Sequence, residues 1–162
     1  GQVLTSAGAG QPPAFEAAGG GGGKVLQVVN MTDGTETISA SATFTDTPIT
    51  ASITPSETTS EILVLVNLNG ITKTSTNTRT RLKLQKDGGD LIGIDDAAGY
   101  TGGTDGIAVG GVSLSYLDDT NTTSEVTYMV QLASAEGTAN ARINVSWITA
   151  SYSSMTLIEI GA

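Results

Sequence analysis

Residues 60–70, Ser-Glu-Ile-Leu-Val-Leu-Val-Asn-Leu-Asn-Gly, are the most apolar segment of the chain and place the tightest limit on its fold. Read as an extended strand, they put Ile62, Val64, Val66 and Leu68 on one face and Leu63 and Leu65 on the other. A strand apolar on both faces needs cover twice, from an opposing sheet and from either a further sheet or a neighbouring subunit. A helix is the weaker reading. The run is short and rich in Val and Ile, opens after Thr-Thr-Ser and closes on Asn-Gly, which are strand and turn signals.

The segments around it follow the same period of two. Residues 24–29 open the series, and residues 37–45 alternate Ile38, Ala40, Ala42 and Phe44 against Ser and Thr, which predicts a strand with the apolar set inward. Residues 49–54 form a strand between Pro48 and Pro55. Residues 79–86 place Leu82 and Leu84 inward and Arg81, Lys83 and Gln85 outward, and Asp87-Gly88-Gly89-Asp90 turns the chain into a return strand over 91–94. Val112, Leu114 and Tyr116 share one face of a strand over 107–117. Further strands follow at 125–133, with Val126, Tyr128, Val130 and Leu132 inward, at 141–149, with Ile143, Val145 and Trp147 inward, and at 155–160. The count is about ten, and the short regular spacing is that of a sandwich or barrel. A low charged fraction of 14 %, against about 25 % in ordinary domains, agrees with a surface built from Thr, Ser and amides. Only residues 13–18 offer a turn of helix, which the glycines at 19–23 would end.

The same composition removes several function classes. A net charge of −9 opposes a phosphate-backbone partner. With neither Cys nor His there is no thiolate chemistry, no common zinc site and no ordinary general base. No apolar run approaches the ~20 residues of a membrane-spanning helix. Gly22-Gly23-Lys24 does not fit the phosphate-loop pattern, because Val25 stands where a hydroxyl is needed and no strand precedes it. Paired carboxylates for glycoside hydrolysis would need a cleft of aromatics, and one Trp, four Tyr and two Phe, several on apolar faces, do not supply it. The chain reads as a non-enzyme without a cofactor. Asn30, Asn121 and Asn144 each begin an Asn-x-Ser/Thr triplet, which a Thr-rich sequence produces by chance, and Asn144 falls in mid-strand. Arg79, Arg81, Lys83 and Lys86, the one basic cluster, read as the solvated face of a charge-protected edge strand.

The longest strand-free stretch is 95–106. It carries Asp95, Asp96 and Asp105 with Tyr100 as its single aromatic, and long loops carry function more often than short ones. The carboxylates could serve calcium but match no calcium loop's spacing, and Asp in Gly-rich turns is ordinary turn chemistry. Tyr100 could stack on a sugar or anchor a protein contact; the plain alternative is a connection with Tyr100 tucked against the next strand.

Residues 1–23 differ from the rest, being rich in Gly and Pro and poor in apolar side chains. They read either as a disordered linker or as a stalk ordered by wrapping identical chains, with Val3, Leu4 and Phe15 as anchors. Gly1 is not an initiator Met, as expected of a processed chain or a piece of a longer one. Gln2-Val-Leu-Thr-Ser-Ala-Gly-Ala-Gly-Gln-Pro-Pro-Ala-Phe-Glu resembles the VLTSxGxGxPxx segment near the distal ends of bacteriophage tail fibres, particularly of marine and cyanobacterial phages. Lys24-Val-Leu-Gln-Val-Val resembles the entry to their terminal knob, and Ser154-Met-Thr-Leu-Ile-Glu-Ile-Gly-Ala resembles its closing strand. Ser52-Ile-Thr-Pro-Ser and Glu61-Ile-Leu-Val-Leu-Val fit the same pattern, so the likeness spans most of the chain.

The resemblance implies a homotrimeric, virion-borne fibre tip with a jelly-roll knob over 24–162, similar to tumour-necrosis-factor-like heads, on a stalk over 1–23. Its expected partners are two further copies, a host surface glycan or outer-membrane protein, and other virion proteins through a preceding region. Nucleic acid, membrane insertion and metal are not expected. Leu63 and Leu65 would then face the threefold axis; the resemblance assigns no binding residues, and Asp95, Asp96, Tyr100 and Asp105 are the candidates to meet a receptor because theirs is the longest loop. A structural capsid fibre or decoration protein without receptor binding is the alternative.

Overall fold

The computed structural model describes residues 2–5, 9–10, 12–17, 25–75, 78–98, 100, 108–137, 139–146 and 150–161. All secondary structure among them is strand, and every pairing is antiparallel. The strands are β1 (Gln2–Thr5), β2 (Ala14–Ala17), β3 (Val25–Asp33), β4 (Thr37–Ser39), β5 (Thr45–Ile53), β6 (Glu61–Lys73), β7 (Thr80–Lys86), β8 (Gly89–Ala98), β9 (Ala108–Asp119), β10 (Val126–Ser134), β11 (Ala141–Ile143) and β12 (Ser153–Ile160).

Ten of them make two facing sheets. The first runs β3-β12-β6-β9, extended by β11 and β4 beyond the end of β12, and the second runs β5-β10-β7-β8. The chain crosses from sheet to sheet between β4 and β5, β5 and β6, β6 and β7, β8 and β9, β9 and β10, and β10 and β11, giving a jelly-roll-like sandwich. Alternation explains the core. Ile62, Val64, Val66 and Leu68 of β6 and Met155 and Leu157 of β12 meet Ile49, Leu82, Leu84, Tyr128, Val130 and Leu132 of the second sheet, all buried.

The boundaries differ from the sequence reading where side chains or backbone signs override the alternation. Over 37–45 the strand stops at Ser39. Ser39 Oγ accepts from Ser41 N (3.2 Å) and Ser41 Oγ from Thr43 N (2.9 Å), two local turns that compete with a ladder. The faces are reversed as well: Ile38 is 49 % exposed and Ser39 is buried. Strand β5 begins at Thr45 and passes through Pro48, which is tolerated because β5 is a sheet edge and its ladder shifts register opposite that residue. Residues 14–17 are a strand rather than a helical turn, paired with β1 so that Leu4 opposes Phe15. The stalk boundary at 23 and 24 lies outside the described residues, as does Trp147.

The strand expected over 141–149 ends at Ile143, because Asn144 takes a left-handed φ of 60°. Asn144 is therefore a junction and not a mid-strand residue. Its backbone N–H donates to Asn69 O (2.9 Å) and Nδ2 donates to Asp33 O (3.0 Å) and Thr35 O (3.1 Å), while Ser153 Oγ donates to Oδ1 (2.5 Å). These bonds fill the gap where β12 gives way to β11 along β6. Gly70, also left-handed, is required there, since a Cβ would lie 2.5 Å from Val145 O.

Two buried acids tie the sandwich together. Asp118 of β9 accepts at Oδ2 from Tyr128 Oη of β10 (2.5 Å) and pairs there with Lys86 Nζ of β7 (2.7 Å), bridging the sheets. Burial and this carboxylate both push the Tyr128 hydroxyl up, so it stays a donor. Glu159 of β12, fully buried, accepts from Ser56 N (2.6 Å), Ser56 Oγ (3.1 Å) and Gln27 Nε2 (2.7 Å), holding the loop before β6 onto the sheet. Burial raises its pKa. The nearby Ser60 hydroxyl, which makes no hydrogen bond of regular geometry, and the three donors outweigh burial and hold the carboxyl below its usual 4.5. A depressed pKa stabilises the fold above the unfolded value, and that stability is lost as pH falls through the folded one. Melting temperatures measured from about pH 7 to about pH 3 should therefore drop below 4.5, and Glu159→Gln should flatten that acid limb. An unchanged limb would show that other carboxylates control it.

Candidate binding cleft and uncharged face

On the outer side of the second sheet, β7 presents what its period demands: Leu82 and Leu84 go inward and Arg81, Lys83 and Gln85 outward. The turn to β8 is Asp87-Gly88, with φ of 51° and 81°, the two-residue hairpin loop whose twist matches the strands and fixes Lys86 opposite Gly89. Register then sets Gln85 against Asp90 and Lys83 against Gly93. Two ion pairs result, Arg81 Nε to Asp96 Oδ1 (2.5 Å) and Lys83 Nζ to Asp90 Oδ1 (2.5 Å), and Gln85 Nε2 also donates to Asp90 Oδ1 (3.1 Å). The hydrogen bonds from Lys83 and Gln85 lower the Asp90 pKa. Between the pairs the ladder has no side chain, because Gly93 stands there.

Phe44, arriving from the connection before β5, closes the hollow. Its ring centroid lies 5.0 Å from the Arg81 guanidinium carbon and 4.4 Å from Lys83 Nζ, both within cation–π range. Together these groups line an open cleft of about 330 Å³, which Asp95 also borders.

The proposed receptor loop is thus split. Asp95 and Asp96 belong to β8, which runs on to Ala98, and both line the cleft. Tyr100 does not; it is 52 % exposed, with Lys73 Nζ 5.6 Å from its ring centroid. Asp105 lies outside the described residues. Phe44, expected in the core, is at the cleft. The basic cluster is on an internal strand, and the edge it was assigned to protect is β8, guarded by its own Asp residues. The signal that would have located the hollow is Gly93 in the middle of a strand. Among the described residues no group of three or more carboxylates converges to hold a metal ion.

The outer side of the first sheet is chemically opposite. One straight rung crosses its four long strands as Val28, Ile158, Leu63 and Leu117, all aliphatic. Val28 is 57 % and Leu117 48 % exposed. The next rung reads Asn30, Thr156, Leu65 and Ser115, and the one after it Thr32, Ser154, Asn67 and Ser113. None of these twelve side chains is ionisable, in a chain of net charge −9; the first carboxylates, Glu61 and Asp119, oppose each other on the rung at the other side of the aliphatic one. Leu63 and Leu65 are half-buried in the single chain and point away from the core. Asn144 keeps its amide inside the junction network and only 2 % exposed, so that triplet offers no accessible acceptor.

No protein-family model matches the chain, and no curated protein matches it.

Proposed function

We propose that the chain is the distal tip of a bacteriophage tail fibre, a homotrimeric module that adheres to the host cell surface. The observation that carries the reading is the division of surface chemistry between the two sheets. Copies of a chain this acidic repel one another wherever charged faces meet, so a stable assembly needs an uncharged contact. The outer side of the β3-β12-β6-β9 sheet supplies one, with an aliphatic rung whose half-exposed members, Val28 and Leu117, each gain about 1 kcal/mol on full burial. Assembly through that side leaves the second sheet, with its cleft of Phe44, Arg81, Lys83, Asp90 and Asp96, turned outward to meet a target. The fibre resemblance of residues 2–16 and 154–162 supplies the threefold number and the biological setting.

The test is adsorption. The full chain, labelled and checked for trimer mass by light scattering, should bind a subset of candidate host cells saturably. Binding to virus particles with none to any cell would replace this reading with a structural fibre or decoration protein.

A further inference from the structure

We infer that the cleft on the outer side of the second sheet binds an uncharged saccharide ring, seated over Gly93 between the Arg81–Asp96 and Lys83–Asp90 pairs and against Phe44. The inference rests on the adhesion reading above and names the ligand of its site.

Gly93 is the first reason. Glycine inside a strand costs about 0.5–1 kcal/mol relative to Ala, and although the ladder shifts register beside Gly93, neither a left-handed backbone nor a close approach requires glycine here. Its φ is not in the left-handed range, and a Cβ built on it meets no atom within 4 Å. What the missing side chain provides is room, directly between two ion pairs.

The donors and acceptors are the second reason. Arg81 spends Nε on Asp96 and Lys83 spends one N–H on Asp90, leaving guanidinium and ammonium donors beside carboxylate oxygens with lone pairs to spare. A vicinal diol donates through one hydroxyl and accepts through the next, which suits an acceptor and a donor held side by side. Phe44, with Arg81 and Lys83 over its ring, gives the hollow an apolar border for the C–H groups of a sugar ring.

Charge and size narrow the class further. Arg81 and Lys83 stand against Asp90, Asp95 and Asp96, one negative charge in excess on a strongly acidic chain, so carboxylated or sulfated sugars are disfavoured. A cationic sugar gains little, because Asp90 and Asp96 already have partners and Asp95 Oδ1 accepts from Ala97 N (2.7 Å). The volume of about 330 Å³ is at the small end for ligand sites, enough for a ring rather than a folded chain.

The experiment titrates the full chain with neutral hexoses and N-acetylhexosamines and their short oligomers, beside glucuronate and glucosamine, and measures adsorption to cells in parallel. At least one neutral sugar should bind. Gly93→Leu should weaken it about tenfold or more with the melting temperature unchanged or raised, and Phe44→Ala should weaken it as well. Binding of charged sugars alone, or neutral-sugar binding that survives both substitutions, overturns the inference. Cell adsorption that persists undiminished in Gly93→Leu also overturns it while leaving the adhesion reading intact. Sugar binding in the cleft without adsorption to any cell does the reverse, upholding the site and removing the adhesion reading.

Discussion

Replacing Asp118 with Ala is expected to lower the unfolding free energy by about 3–5 kcal/mol, which in a domain of this size is a fall in melting temperature of about 6–20 °C. Asp118 is 6 % exposed and its Oδ2 is the common partner of Lys86 Nζ and Tyr128 Oη. Deleting it strands a cation and a fully buried hydroxyl together. The Lys86 side chain keeps 21 % exposure and can turn its ammonium partly to water, so the lower end of the range is the expected one. Tyr128→Phe should cost only about 1 kcal/mol, since the carboxylate retains its lysine. Replacing Asp118 and Lys86 together with Leu and Met should recover the part of the loss that comes from the stranded cation, leaving about 1–3 kcal/mol for the buried Tyr128 hydroxyl. Denaturant titration at one fixed protein concentration measures all of these. An Asp118→Ala protein within about 1 kcal/mol of the parent would mean that water reaches the site and satisfies both partners.

If the chain assembles as proposed, Leu63→Asp and Leu65→Asp should each convert the trimer into folded single chains. Both side chains point away from the core, so the sandwich survives, with a local strand-propensity cost of about 1 kcal/mol or less. In the assembly the same carboxylate would sit on the aliphatic rung or beside it, repeated in every copy and without a counter-charge, since no basic side chain lies on the rungs that pair Val28 with Ile158 and Leu63 with Leu117. Light scattering at micromolar concentration should give the mass of one chain for each variant, and Asn67→Asp, on the polar rung, should have a smaller effect. A trimer mass that survives in both leucine variants would place the contact elsewhere on the molecule, and a single-chain mass for the parent would remove the proposed assembly.

Legibility in the sequence tracked how local the deciding interactions are. The β7–β8 hairpin was readable because Asp87-Gly88 carries its own turn chemistry, and Val126 to Leu132 because one face of β10 is wholly inside. The two faces of β6 were readable for the same reason. Residues 37–45 misled because their Ser side chains bond to backbone two positions on, a choice that alternation of Ile and Ala does not reveal. Asn144 ended a strand that Val145 and Trp147 seemed to continue in pattern, since its left-handed backbone is rewarded by carbonyls more than a hundred residues earlier. The cleft was half legible. Asp95 and Asp96 were singled out as loop residues, whereas Phe44 and Gly93 became meaningful only once register placed them beside Lys83.

The position of β12 bears on how the chain reaches its fold. It lies between β3 and β6 in the interior of the first sheet, and its contact from Thr156 to Asn30 closes a loop of 126 residues. Pairings this distant form late and slowly, on the millisecond-to-second scale of β-sandwiches. Until residues 153–160 are in place, β3 has no strand to join and β6 offers an open edge flanked by Leu63 and Leu65. Shortening the chain through β12 would split the sheet rather than trim its border. On a ribosome, the interval before β12 emerges is when two growing chains would be most prone to pair with each other.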